Sequence, residues 1–333
     1  MTAPARTRWR RGSIGSLQVL CVVLLVALLA QSYLVDLFDV AALRTGSTVF
    51  VAVVVQALPF LVPGVLLSGA IMAFLPAERL RRLLPRRPGL AVPVAGLAGA
   101  ALPGCECASV PVARRLMQNQ VAPSVALAFL LASPAINPVV LVTTAVAFPG
   151  RPEMVLARFG GSLATAVVTG WLWQRFGRAE WIAERALGRL SGPVGESRWR
   201  VFTETARHDL VEAGGFLVIG GLASAVLNVV VPQSWLGTLG GNLVLGVLVM
   251  AVLAVVLALC SEADAFVAAS LSAVPLVPRL VFLVVGPAVD LKLIALQTGT
   301  FGRRFALRFA PLTFLVAIGC AVAVGLPLLG SGR

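Results

Sequence analysis

Long stretches of this chain contain almost nothing that water can hydrate, and that limits the fold before any motif is considered. Apolar runs cover Leu17–Leu34, Val49–Leu75, Val139–Phe148 with its upstream extension, Leu210–Val231, Leu243–Leu259 and Pro311–Leu329. A membrane-spanning helix needs about 18–20 such residues. Of the 333 residues, 59% are hydrophobic and 12% charged; a soluble domain carries roughly 25% charged residues. So little polar surface cannot cover so apolar an interior. Lipid leaves backbone polar groups nothing outside the segment to bond, which favours helices. The chain reads as an all-α polytopic integral membrane protein of about 8–10 membrane segments.

The net charge of +13 does not mark a nucleic-acid binder, because the basic residues fall between the apolar runs. They cluster at Arg6–Arg11, at Arg79–Arg87, through the Arg175–Arg207 linker and at Arg303–Arg308, with Lys292 as the sole lysine. Such clusters set topology, since cytoplasmic loops carry the excess of Lys and Arg. The N-terminus is expected in the cytoplasm and Leu17–Leu34 as an uncleaved first span; its end at Ala27–Ala30 makes a poor cleavage site.

Three blocks repeat in the same order. QALPFLVPGVLLSGA (56–70) parallels EAGGFLVIGGLASAV (212–226), with Phe60, Gly64 and Ser68 recurring as Phe216, Gly220 and Ser224. Cys105 in LPGCECAS falls opposite Cys260 in LALCSEAD. FLLASPAINP (129–138) parallels FLVVGPAVDL (282–291), so that Pro134 matches Pro287 and Asn137 matches Asp290. The offset is 156 at Phe60/Phe216 and 153 at Pro134/Pro287. The expected organisation is a basic N-terminus with a first span (1–47), a first membrane repeat (48–175), a basic linker (176–208) and a second repeat (209–333). The basic clusters place the two copies in the membrane from opposite sides, as inverted repeats.

Residues 90–103 and 106–118 are each too short to cross ~30 Å at 1.5 Å per residue. A re-entrant hairpin with its tip at Gly104–Cys107 is expected, and a second over 243–273, where Leu243–Leu259 is itself long enough to span; two ordinary spans in each copy are the alternative. After each, a span should break at Ser133-Pro134 or Gly286-Pro287, because proline removes a backbone donor. Freed backbone at membrane depth must be buried in protein or line a wet cavity.

Cys105, Cys107 and Cys260 are the candidate substrate ligands, since thiolates select soft, thiophilic species. Cys21 and Cys320 read as packing residues. Glu106, Glu262 and Asp264 are candidate proton carriers, because a carboxylate at membrane depth faces a cavity or a partner. Asn137 and Asp290 follow their prolines at equal spacing; capping the broken backbone and contacting substrate are both open to them. His208 should be solvated, and Trp199–Asp209 could form an amphipathic stretch on the membrane surface. No nucleotide-binding loop or metalloprotease motif is present, so no cofactor and no enzymatic activity are expected, and any transport would be secondary.

Four of these motifs in this order, CECASVPVARRL, AFLLASPAINPVVL, LCSEADAFVAASL and FLVVGPAVDLK, resemble the bacterial predicted-permease family that includes the ArsP-type organoarsenical efflux permeases. The resemblance covers roughly residues 48–329. It implies a multi-pass permease of the bacterial inner membrane that exports trivalent organoarsenicals through cysteine thiols, a role that falls here on Cys105, Cys107 and Cys260. Expected partners are the bilayer, a small solute or metalloid and, beyond these, a second copy of the chain in a homo-oligomer. A different class of reading is a thiol–disulfide electron carrier using Cys105 and Cys260. A third is a non-transporting membrane subunit of a larger assembly.

Overall fold

A computed structural model describes residues 41–74, 85, 87–100, 106–187, 197–230, 243–261, 263–271 and 274–330. The described residues are helical and contain no strand. The helices are α1 (Ala41–Phe74), α2 (Pro88–Gly99), α3 (Glu106–Gln118), α4 (Pro123–Ile136), α5 (Pro138–Ala147), α6 (Pro152–Phe176), α7 (Glu184–Leu187), α8 (Arg198–Val230), α9 (Leu243–Leu257), α10 (Asp264–Ser270), α11 (Leu276–Ala288), α12 (Leu291–Phe301) and α13 (Arg303–Leu329). Proline opens α2, α4, α5 and α6, where its fixed φ suits a helix start and its missing N–H costs nothing. Gly302, at φ 99°, turns α12 into α13 through a conformation that a side chain disfavours.

Among the described residues, four segments can cross a membrane by length and composition: Pro123–Ala147, Pro152–Phe176, Leu276–Phe301 and Arg303–Leu329. The first and third are broken helices, α4–α5 and α11–α12. Helix α2 has 12 residues and α3 has 13, about 18–20 Å each, short of a ~30 Å hydrocarbon core. Helix α10 has only seven. Helix α8 is longer than the sequence suggests. The stretch expected on the membrane surface, Trp199–Asp209, runs without interruption into the apolar part as one helix to Val230, because nothing between them breaks the backbone ladder.

The interior is inverted relative to a soluble protein. Val142 and Val146 of α5, Leu156 of α6, Val244 and Leu248 of α9, and Leu307 and Leu315 of α13 are exposed, while Arg115, Arg158 and Lys292 are among the largest fully buried side chains. Outward apolar faces are what lipid requires. Helices α4 and α11 form the centre; every residue from Ser124 to Ile136 is buried, as are Val277, Pro278 and Leu280 through Ala288.

Part of the packing maps onto itself when one half is exchanged for the other, although among the described residues α1 packs on α3 and α8 on α12 with no matching pair. Helix α2 packs on α4 as α9 packs on α11; α3 packs on α4 and α12 as α10 packs on α11 and α5; α4 packs on α6 as α11 packs on α13. Helix α1 packs against α8 and α6 against α13, each pair being counterparts. Helices α6 and α13 run antiparallel. A β-carbon at Gly160 would lie 3.5 Å from Val324 and one at Gly161 3.7 Å from Ala321. Thirteen residues after Gly160, Trp173 stacks edge-on against Phe305 and Phe309 at 5.1 and 5.7 Å between ring centroids.

Gly170 is where three helices meet. A β-carbon there would lie 2.6 Å from Val92 Cγ1 on α2 and 3.1 Å from the Ser124 carbonyl on α4. Gly170→Ala is expected to cost about 1–3 kcal/mol by overpacking. Gly160→Ala, which meets only Val324 at ordinary contact distance, should stay within about 1 kcal/mol and gain some helix propensity. Thermal unfolding of both variants in one detergent measures the contrast.

Candidate functional site

Each broken helix continues through its proline and ends one or two residues later. Pro134 lies inside α4, which runs to Ile136, and Pro287 inside α11, which runs to Ala288. Proline frees one carbonyl a turn upstream but does not by itself unwind the residues after it. The end comes where a side chain can take the amides of the next helix. Asn137, in extended conformation, accepts a hydrogen bond from Val140 N at 3.0 Å through Oδ1 and donates from Nδ2 to the Ser133 carbonyl at 3.1 Å. It caps α5 and holds the end of α4. Asp290 accepts from Leu293 N at 2.6 Å and caps α12, while its other oxygen lies 3.3 Å from Lys292 Nζ. A capping side chain satisfies donors that the interior could otherwise not tolerate.

The segments that carry the cysteines lie against these breaks. Helix α2 ends with Gly99 so close to the first break that a β-carbon there would sit 2.8 Å from Ser133 N. Glu106 and Cys107 open α3, which packs on α4 and, across the halves, on α12. In the second half α9 ends at Leu257, and Ala258 takes φ 47°, a left-handed conformation that costs about 1–2 kcal/mol without glycine. The turn delivers Cys260, a buried free thiol whose carbonyl accepts from Ala263 N and Asp264 N at 2.9 and 3.0 Å. Asp264 then opens α10, its Oδ2 3.9 Å from where a Gly286 β-carbon would be. Gly286 immediately precedes Pro287 at the second break.

Buried charge organises the region. Arg158 on α6 is fully buried and donates to Asp264 Oδ2 at 2.8 Å, to the Ser261 carbonyl at 3.0 Å and to Thr144 Oγ1 at 2.8 Å. Arg115 on α3 donates to both oxygens of Asp209 on α8, at 3.2 and 2.6 Å, and to Gln118 Oε1 at 2.7 Å. A buried charge survives only when paired and hydrogen-bonded, and each of these cations has its carboxylate.

Of the residues singled out from sequence, Asn137 and Asp290 are buried at the breaks, Asp264 is buried near Gly286, and Cys260 is buried in the turn before α10. Cys105 and Glu262 lie outside the described residues, as do the side chains of Glu106 and Cys107. His208 is exposed, its Nδ1 3.7 Å from Asp209. Sequence reasoning missed Arg115, Arg158 and Asp209. Arg158 did carry a signal, a lone charge inside an apolar span (LARFGGSLATAVV), which by default marks a functional position.

Residues 42–326 match a family model described as "Predicted permease". The UPF0718 protein YcgR of Bacillus subtilis is 35% identical over 277 residues, covering 82% of this chain and 93% of that protein. A protein of Streptococcus mutans, whose name describes a two-component membrane permease complex subunit, is 31% identical over 282 residues, covering 83% of this chain and 94% of its own. No solved structure matches.

The two caps differ in charge, and so should their removal. Asn137→Ala loses a neutral cap, expected to cost about 1–2 kcal/mol. Asp290→Ala also removes the carboxylate beside the Lys292 ammonium, which is 2% exposed, and is expected to cost about 3–5 kcal/mol. Asp290→Ala with Lys292→Met should recover part of that loss. Unfolding midpoints of the three variants in detergent give the ranking.

Proposed function

The chain belongs to the predicted permease family, and on that footing we propose that it is a secondary transporter exporting a soft, thiophilic solute such as a trivalent organoarsenical. The membrane-embedded permease is the established part; the substrate and its ligands are the proposal. What supports it is that the helices flanking the cysteines reach the breaks of the central helices, Gly99 of α2 beside Ser133 and Asp264 of α10 beside Gly286, with Cys260 a buried thiol in the turn before α10. Soft sulfur ligands in an otherwise apolar interior discriminate for thiophilic species and against hard ions.

In this reading the halves are inverted copies, each with a re-entrant hairpin. The short arms α2 and α3, and the antiparallel pairing of α6 with its counterpart α13, support it. An axis that relates two antiparallel counterparts lies in the membrane plane, and that plan brings both copies to a shared site at mid-depth. Taking the arginine-rich ends of α6 and α13 as cytoplasmic follows the positive-inside rule. It puts the N-terminus in the cytoplasm of a bacterial cell, in the inner membrane.

A monosubstituted arsenical R–As(OH)2 condenses with two thiols among Cys105, Cys107 and Cys260. Two As–S bonds form, two As–O bonds break, and two waters leave. Hydrolysis on the far side reverses the step. Thiolate is the ligand and thiol a poor one, so proton delivery from Glu106, Glu262 or Asp264 would favour release. Asn137 and Asp290 frame the site by holding the breaks open. The relative named as a permease complex subunit suggests a protein partner as well.

The test is methylarsenite accumulation in sensitive cells carrying the native chain, a Cys105→Ser, Cys107→Ser, Cys260→Ser variant of equal abundance, or neither. The native chain is expected to lower accumulation and the variant to match empty cells. Equal accumulation in all three removes organoarsenicals as substrate.

A further inference from the structure

The two buried arginine clasps share a property that the caps lack: each joins one half of the chain to the other. Arg115 lies on α3 of the first half and holds Asp209 on α8 of the second. Arg158 lies on α6 of the first half and holds Asp264 and the Ser261 carbonyl of the second. Each guanidinium also keeps one first-half acceptor, Gln118 Oε1 or Thr144 Oγ1.

The Arg115 clasp lies toward one end of the molecule and the Arg158 clasp on the other side of its middle, where Asp264 also reaches the second break. Arg115 is within a turn of the end of α3, and a short turn leads from there to Pro123, the start of α4. The broken helix α4–α5 then crosses in a single 25-residue segment. Thr144, which Arg158 grips, is near its far end. From Pro123 to Thr144 the rise is about 30 Å, a hydrocarbon thickness. Helix α6 gives the same answer independently. Arg158 is near its start, while Trp173 near its end stacks against Trp181 at 5.9 Å. Helix α7, which comes after Trp181, packs on α3. The Arg115 clasp therefore shares the face of Arg175, Arg303 and Arg304, and the Arg158 clasp the face opposite. The breaks lie between these ends, and Cys260 immediately precedes Ser261, whose carbonyl Arg158 holds.

We infer that Arg115–Asp209 and Arg158–Asp264 are the two gates of the transport cycle, closing opposite faces of the site and opening in turn. This rests on the transport reading and adds to it the residues that separate the two access states. The chemistry of the seam supports it. A buried ion pair is a poor permanent weld, since well-packed apolar residues hold as well or better. It is a good reversible seal. Dry, the two charges hold each other; wet, hydration replaces most of what separation removes. An apolar seal would instead expose oil to water on every opening. Both clasps are formed in this structure, so neither face is open at its arginine.

Neutralising one carboxylate strands its arginine in the closed seam and favours the state in which that arginine is hydrated. Cys260, 4% exposed and adjacent to Ser261, reports the result. In a chain where Cys21, Cys105, Cys107 and Cys320 are serine, a membrane-impermeant maleimide is applied to right-side-out and inside-out vesicles. Asp264→Asn is expected to raise Cys260 labelling from the arginine-poor face alone, and Asp209→Asn from the arginine-rich face alone, each about 5- to 150-fold, the usual range of coupling between states. Should either carboxylate variant lose abundance, Thr144→Val and Gln118→Ala remove one bond from each clasp and should give the same face-specific changes at smaller amplitude. Labelling unchanged in both variants, or raised from the same face in both, overturns the inference; a scaffold role predicts one of these. Methylarsenite export is measured in the same variants with all cysteines restored. Labelling that switches face without any native export supports the gates and removes the arsenical substrate. Native export without a switch keeps the substrate and removes the gates.

Discussion

A helix interrupted inside a bilayer must satisfy its own loose backbone groups, and in this protein two side chains, Asn137 and Asp290, do so. No water is available there to accept the work, and an unbonded amide in hydrocarbon costs several kcal/mol. With the caps in place, α4 and α11 can be buried along nearly their whole length and still bend at mid-depth. The cysteine-bearing segments then have somewhere irregular to dock. The end of α2 meets the first break at Ser133, and Asp264 meets the second at Gly286. Without the caps the central helices would have to be continuous, and a continuous helix presents a closed cylinder to its neighbours.

The charges arise from the same constraint. Once the interior holds polar breaks it can also hold paired ions, and among the described residues it holds three buried cation–carboxylate contacts: Arg115–Asp209, Arg158–Asp264 and Lys292–Asp290. The lysine pair is local to one break. The arginine pairs are not; their partners are 94 and 106 residues apart in sequence. Arginine suits that reach, because its planar fork bonds several acceptors at once and its charge persists when buried.

The features legible in the sequence are those that are local or periodic. The apolar runs indicate the helical membrane class, and the repeated Pro-Ala-x-Asn and Pro-Ala-x-Asp blocks point to the paired breaks. Sequence alone puts each break a residue or two early, since proline is visible in the sequence while the capping geometry of Asn137 and Asp290 is three-dimensional. Arg115 is not legible as a site residue, and Arg158 is legible only as a lone charge in an apolar span, with nothing to name its partner. In a basic membrane protein an arginine near a span end counts first as a topology signal, and only a tertiary contact reveals that Arg158 faces Asp264 rather than water. The split of Arg198–Val230 into a surface stretch and a span shows the converse: a change in composition suggests a boundary that the backbone does not have.

The unequal caps bear on how far the two breaks could be exchanged for one another. One break is held by a neutral amide and the other by a carboxylate with its lysine. Changing Asn137 to aspartate alone would place a charge with no cation of its own at the first break. Changing Asp290 to asparagine alone would leave Lys292 without its anion. Each half can reach the other's solution only by two coordinated substitutions, the first of which is penalised. The difference acts as a lock: with the two breaks electrostatically distinct, single mutations cannot make them interchangeable.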